Sequence, residues 1–124
     1  MTAPNIVDVG TITGKTNYFA LSSTNATVIA TNTANSGKVF KVNSLVVANV
    51  DGATAADITI TVNSADDGAG TAYALAKTIS VPADASLIVI DKSTAVYLEE
   101  DRSIVATAGS ANDLEIVISY EEIS

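Results

Sequence analysis

Alternation of apolar and polar residues is the clearest pattern in the chain. In the segment 57–62 every second residue is apolar, and the segment 114–120 repeats the pattern, with Val117 as an apolar residue on the otherwise polar face. A period of two is typical of a strand that turns one face to a core and the other to water. We therefore expect one core to contain Ile58, Ile60, Val62, Leu114, Ile116 and Ile118.

Turn residues interrupt these segments about every 8–12 residues, which is the spacing of sandwiches and barrels. The predicted extended segments are 5–13 (ending before Gly14), 17–21, 26–31, 38–50, 57–62, 71–81, 87–90, 103–108 and 114–120. The uninterrupted apolar run 87–90 indicates a strand that is covered on both faces. No segment has the start, period and stop of a helix. The pattern predicts an all-β, antiparallel two-sheet β-sandwich of jelly-roll type, with eight or nine short strands and residues 1–124 as a single domain.

Composition strengthens the β prediction and removes most catalytic chemistry. Val, Ile and Thr together number 41, and such β-branched side chains favour strands. The chain has no Cys and no His, so it lacks thiolate ligands, disulfides and the commonest general base. We therefore expect a protein that is not an enzyme.

The charge balance indicates which kinds of partner the chain can bind. With 6 basic and 14 acidic residues the net charge is −8, and there is no basic cluster to bind phosphates, so we expect no nucleic-acid binding. Mean hydropathy is +0.35 although charged residues make up only 16% of the chain. A weakly charged surface is typical of a subunit that is buried against neighbours, although small polar residues on an ordinary sandwich would give similar values.

Candidate sites for a metal or for acid–base chemistry are weak. Asp66 and Asp67 lie in a Gly-rich loop, but the spacing of a calcium loop is absent. The run 99–101 and the pair Glu121-Glu122 place like charges side by side, which is typical of exposed turns. The residues around Gly10 and Gly14 miss the phosphate-loop spacing by one residue. We expect these carboxylates to be exposed, with no metal and no cofactor.

The N-terminal residues 1–7 are a possible extended arm. They are uncharged and partly apolar, with neither a signal-peptide pattern nor an apolar run long enough for a membrane span, so we expect no membrane association. The expected interaction residues are Thr2, Ala3, Pro4, Asn5, Ile6 and Val7. We also expect the last strand to lie near an open sheet edge, because little chain follows it.

Three segments carry a resemblance to a known group. They are 79–92 (ISVPADASLIVIDK), 96–100 (VYLEE) and 114–123 (LEIVISYEEI), and residues 4–7 and 12–16 fit the same group. Together they resemble small virion structural proteins of tailed bacteriophages, of the marine and cyanobacterial kind. Such proteins usually have Gly-Asp after the Tyr-Leu-Glu-Glu segment, where this chain has Asp101-Arg102.

The resemblance implies a virion protein that is made in the host cytoplasm and binds the major capsid protein or other virion proteins. We expect a head decoration (cement) subunit that stabilises the capsid lattice, with a tail, neck or baseplate subunit as the alternative. A third hypothesis is a host-surface carbohydrate-binding module, but the chain offers few aromatic side chains for sugar stacking. We also expect a homo-oligomer, with a trimer favoured.

Overall fold

The computed structural model describes residues 10–124, and strands make up most of this part of the chain. The strands are β1 (Ile12–Leu21), β2 (Thr27–Asn32), β3 (Val39–Asn49), β4 (Ala56–Asn63), β5 (Ala72–Val81), β6 (Ser86–Ile90), β7 (Val96–Leu98), β8 (Arg102–Ala108) and β9 (Leu114–Ile123). A short 3-10 helix, Lys92–Thr94, follows β6, and Asp91 caps it by accepting hydrogen bonds from the backbone N–H groups of Ser93 and Thr94.

The nine strands form two antiparallel sheets. Sheet A has the order β1-β9-β3-β6, with β7 also paired to β3, and sheet B has the order β2-β8-β4-β5. The pairs β1–β9, β2–β8, β3–β6 and β4–β5 are therefore nested, as if one long hairpin had been rolled into a sandwich. This nesting is the jelly-roll arrangement, so the predicted fold class is confirmed.

The core lies between the two sheets and is built from aliphatic side chains. Five of the six predicted core residues are buried, namely Ile58, Ile60, Leu114, Ile116 and Ile118. The sixth, Val62, is partly buried and packs against the same cluster. Alternation in β4 and β9 therefore identified the inward face correctly.

Buried asparagines end three of the strands. Asn32, Asn49 and Asn63 are the last residues of β2, β3 and β4, and each is at most 6% exposed. The Nδ2 of Asn49 donates to the carbonyl oxygens of Thr54 and Val81, both at 2.9 Å. An amide suits these positions because it can pair main-chain groups that leave a ladder where a strand ends.

Three expectations about the strands were wrong. Gly14 does not end a strand, because β1 runs through it in unbroken register with β9. The run 87–90 is not covered on both faces, because β6 lies at an edge of sheet A and leaves Ile88 63% exposed. The last strand is not at an edge either, since β9 lies between β1 and β3.

Candidate interaction surfaces

A row of apolar side chains crosses the outer face of sheet A. The register places Tyr18 of β1 opposite Val117 of β9, Val117 opposite Val46 of β3, and Val46 opposite Ile88 of β6. Directly opposed residues of antiparallel strands share a face and touch. Tyr18 is 81% exposed, Ile88 63% and Val117 45%, and Val46 is half-buried. We call these four residues the apolar row.

The surroundings of the apolar row are small and mostly uncharged. One flank consists of Thr16, Ser119 and Ser44, and the other of Ala20, Glu115, Ala48 and Ser86. A shallow, open groove of about 280 Å³ lies on the part of this face formed by β1 and β9. Glu115 is the carboxylate among the residues that line it. The face therefore offers apolar contact area with little charge to desolvate.

The outer face of sheet B, by contrast, is partly covered by the chain itself. The hydroxyl of Ser103 donates to the carbonyl of Ala65 at 2.6 Å and accepts from the backbone N–H of Gly68 at 3.1 Å. Gly68 has φ +84°, and a Cβ there would lie 2.8 Å from Cγ2 of Val28, so only glycine fits. Val105, on the same face, is 6% exposed. The loop between β4 and β5 thus closes over sheet B, whereas the apolar row has no such cover among the described residues.

Asp66 belongs to this covering loop, and it is half-buried, so the expectation that it is exposed was wrong. Its Oδ2 accepts from the backbone N–H of Ala34 at 2.9 Å, and its own N–H donates to Oδ1 of Asp101 at 3.3 Å. The side chain therefore ties two loops together. Its neighbour Asp67 is exposed, as predicted.

In the turn between β7 and β8, the two glutamates likewise differ in exposure. Glu99 is exposed, but Glu100 is half-buried and its Oε1 is buried without a hydrogen-bond partner among the described residues. Asp101 has φ 59°, a left-handed conformation that favours glycine. Within residues 10–124, no group of three or more His, Cys, Asp or Glu side chains could hold a metal ion.

Glu122 forms the ion pairs of sheet A. Its Oε2 lies 2.7 Å from Nζ of Lys15, and its Oε1 lies 3.0 Å from Nζ of Lys38. The hydrogen bond from Lys15 and the two positive charges lower the pKa of Glu122, although partial burial opposes this. The same contact raises the pKa of Lys15. The charge of Lys15 on β1 is therefore already matched within the chain.

Among residues 10–124, β1 forms one open edge of sheet A, and it is long, regular and almost uncharged. Its ten residues pair with β9 without a register shift, and Lys15 is its one charged residue. Most of β1 is exposed on both faces, including Tyr18. Alternation along the chain does not reveal this edge, because it shows which face of a strand is apolar but not which strand is outermost.

The expected interaction residues of the N-terminal arm, Thr2 to Val7, lie outside the described residues. The described chain begins at Gly10, whose backbone N–H donates to the carbonyl of Ser124 at 2.8 Å. In residues 10–124, no helix has the length and hydropathy that crossing a bilayer requires.

Comparisons with known proteins bear on the fold. No protein-family profile matches the chain, and no curated protein matches it. A solved structure described as "Bacillus endospore appendages form a novel family of disulfide-linked pili" is similar with a TM-score of 0.52 and 16% identity, covering 91% of this chain and 88% of that one. A second, "Structure of infectious bursal disease virus Gx strain", has a TM-score of 0.27 and 9% identity, covering 90% of this chain and 40% of that one. At these identities the first likeness shows the fold alone, and the second carries no argument.

Proposed function

We propose that this chain is a non-enzymatic structural subunit of a bacteriophage virion, and specifically a head decoration subunit that binds and stabilises the capsid lattice. The observation that supports the proposal best is the apolar row, a set of large apolar side chains aligned across four strands on a face that no described segment covers. The sequence resemblance is the reason for proposing a phage particle, and the apolar row is the proposed contact surface.

Energetics favour the apolar row as the contact. Burying an exposed Val or Ile side chain completely is worth about 1.5–3 kcal/mol. Ile88 and Val117 are 63% and 45% exposed in the isolated chain, so about half of that gain is still available on docking. Among the directly flanking residues the one charged side chain is Glu115, which limits the cost of removing water.

The N-terminal residues 2–7 are proposed as a second contact. They carry no charge and contain Ile6 and Val7, which can add apolar area. Pro4 has no N–H to donate to a ladder, so the arm fits an edge or the surface of a neighbour better than the inside of a sheet. Deletion of residues 1–7 is therefore expected to weaken attachment to the particle more than it lowers the melting temperature of the isolated chain.

The fold is compatible with self-assembling structural proteins, since the endospore appendage subunit described above shares it. The means of linkage must differ, however. That protein belongs to disulfide-linked pili, whereas this chain has no cysteine. Any assembly of this chain is therefore held by non-covalent contacts or by chemistry other than disulfides.

Immunogold labelling of particles from the culture that carries the gene tests the proposal. We expect gold particles distributed regularly over the heads, and none over heads from a strain in which the gene is deleted. Label on tails, necks or baseplates would replace the decoration role with the alternative. Absence of label from all particles would contradict a virion function.

A specific variant then tests the surface. Ile88→Lys places a positive charge in the apolar row, and Ala74→Lys places the same charge at an exposed position of β5 in sheet B, as a matched control. We expect the first variant to lose co-sedimentation with heads that lack the wild-type subunit, and the second to retain it. Equal binding by both would show that the apolar row is not the contact.

A further inference from the structure

β1 differs from the other outer strands of the two sheets in combining length with regularity. β7 has only three residues, β2 and β6 each contain a register shift, and β5 contains two and has Thr78 at φ 51°. Bulges and kinks of this kind protect sheet edges from pairing with other chains. β1 has none over its ten residues, and its one charge, Lys15, is paired with Glu122. Among the described edges it is the one left suitable for adding a strand.

Hydrogen bonding at the start of β1 shows which backbone groups face outward. Thr11 and Ser124 exchange both of their N–H···O bonds, at 3.0 and 2.9 Å. Such pairs alternate along an antiparallel ladder, so the odd-numbered residues of β1 bond to β9. The N–H and C=O groups of the even-numbered residues therefore point to the open edge. These residues are Ile12, Gly14, Thr16, Tyr18 and Ala20.

The packing of a single chain does not account for the identity of two of these residues, Gly14 and Tyr18. A Cβ added to Gly14 would meet nothing within 4 Å, and the residue does not have a positive φ, so neither crowding nor a turn requires glycine. Tyr18 leaves most of its ring in water. A glycine inside a strand often marks the approach of another chain, and an aromatic ring across from it can cover the exposed backbone.

We propose that β1 pairs antiparallel with β1 of a second copy of this chain, around a two-fold axis at Thr16. In this register Thr16 faces its own counterpart and Gly14 faces Tyr18 of the other copy, on the outer face of the joined sheet. All five outward-facing residues of each strand are then paired, which gives about ten inter-chain backbone hydrogen bonds. Shifting the strands by two residues in either direction leaves outward-facing groups at the strand ends unpaired.

Charge favours a second copy at this edge. From Val9 to Val50 the chain has three Lys and no Asp or Glu, whereas residues 51–124 contain 13 Asp or Glu and three Lys or Arg. β1 therefore brings no negative charge of its own to a contact with another acidic copy. In the proposed register Lys15 lies opposite Asn17 of the other copy, so no two like charges are directly opposed.

The proposed pairing of β1 strands gives a homodimer, and the argument for it does not depend on which particle contains the chain. A cyclic trimer requires two different complementary patches, whereas a two-fold dimer requires one self-complementary patch, and β1 is such a patch. The dimer also places both apolar rows on the same side of one continuous sheet.

Sedimentation analysis of the whole chain provides the first test. We expect a concentration-dependent species of twice the 12.6 kDa monomer mass. Thr16→Pro removes an outward-pointing N–H without breaking a bond to β9 and should give only monomer, with an unchanged far-UV circular dichroism spectrum. Thr16→Ala removes the side-chain hydrogen bond to Ser119 but keeps the N–H, so it should still dimerise.

Single cysteines test the register without depending on the proline variant, because the chain has no native cysteine. In the proposed dimer the two Cα atoms of residue 16 lie about 5.5 Å apart, within reach of a disulfide. Those of residue 20 lie about 27 Å apart. Oxidation should therefore link Thr16→Cys chains and leave Ala20→Cys chains unlinked.

Several results would overturn the inference. They are a monomer at every concentration, a trimer, a Thr16→Pro variant that dimerises as the wild type does, and cross-linking of Thr16→Cys no greater than that of Ala20→Cys. None of these results bears on whether the chain is a virion subunit, which immunogold labelling decides separately.

Discussion

The side-chain amide of Asn49, at the end of β3 in sheet A, donates a 2.9 Å hydrogen bond to the carbonyl of Val81, at the end of β5 in sheet B. Asn32 makes the reverse connection, from β2 in sheet B to the carbonyl of Leu98 in sheet A, at 3.0 Å. Two buried amides thus join the sheets with polar contacts at the margins of an aliphatic core. They fix the loops that follow β2 and β3.

Replacement of Asn49 should therefore destabilise the fold. Asn49→Ala leaves the carbonyls of Thr54 and Val81 without their donor, and because the bond to Val81 is buried, the change should cost about 1–3 kcal/mol in the free energy of unfolding. Chemical denaturation measures this cost. Asn25→Ala is the matched control, because Asn25 is exposed in a turn, and it should change stability by less than about 0.5 kcal/mol. A similar small effect for both variants would mean that the amide link is not a stabilising contact.

Truncation of two neighbouring residues of β9 should lower stability to very different extents. Ile116 is fully buried, so Ile116→Ala should cost roughly 2–5 kcal/mol through lost burial and the cavity that remains. Val117 lies in the apolar row, so Val117→Ala should leave the stability of the isolated chain within about 0.5 kcal/mol. Equilibrium unfolding in urea distinguishes them. Equal losses would show that the outer face is already covered in the isolated chain.

The ion pairs of Glu122 predict a pH dependence. Because its pKa is lowered in the folded chain, its contribution to stability is complete above the unfolded pKa of about 4.3 and is lost as pH falls through the folded value. The pKa of Lys15 is raised, so its contribution is complete below the unfolded value of about 10.4 and is lost as pH rises through the folded value.

The wild type should therefore melt at a higher temperature than Glu122→Gln at pH 7, and the difference should shrink as the solution is acidified below pH 4. Melting curves of the two proteins at matched ionic strength measure it. Glu115→Gln, at an exposed position without an ion pair among the described residues, is the control and should show no such trend. A difference that grows on acidification would contradict the assigned pairing.

Metal removal should have no effect on stability. The carboxylates of the loop that covers sheet B accept hydrogen bonds from backbone N–H groups, Asp66 from Ala34 and Asp67 from Ala69. We expect the melting temperature to be the same with and without EDTA. A fall of several degrees, reversed by added Ca²⁺, would reveal a bound cation that contributes to folding.

The sequence predicted the strands and the core because alternation reports directly which residues face inward. It marked Val117 as an exception on the polar face of β9, and that exception is part of the apolar row. The apolar run 87–90 was misinterpreted, because an edge strand with apolar residues on its outer face has the same sequence pattern as a strand buried on both faces. The apolar row was not predicted, because it depends on the register of four strands and the pattern along one chain does not specify that register. The exposure of Asp66 was predicted wrongly for the same reason, since its hydrogen-bond partner Ala34 lies 32 residues away in the sequence.

The most direct test of packing through sheet A is the reactivity of a cysteine at position 88. In the isolated chain, Ile88→Cys and Ala69→Cys should both react readily with a maleimide, because both positions are exposed and lie over different sheets. In particles assembled with each variant, we expect the cysteine at 88 to become protected while the cysteine at 69 remains as reactive as in the isolated chain. Equal reactivity of the cysteine at 88 in the isolated chain and in the particle would contradict docking through the apolar row.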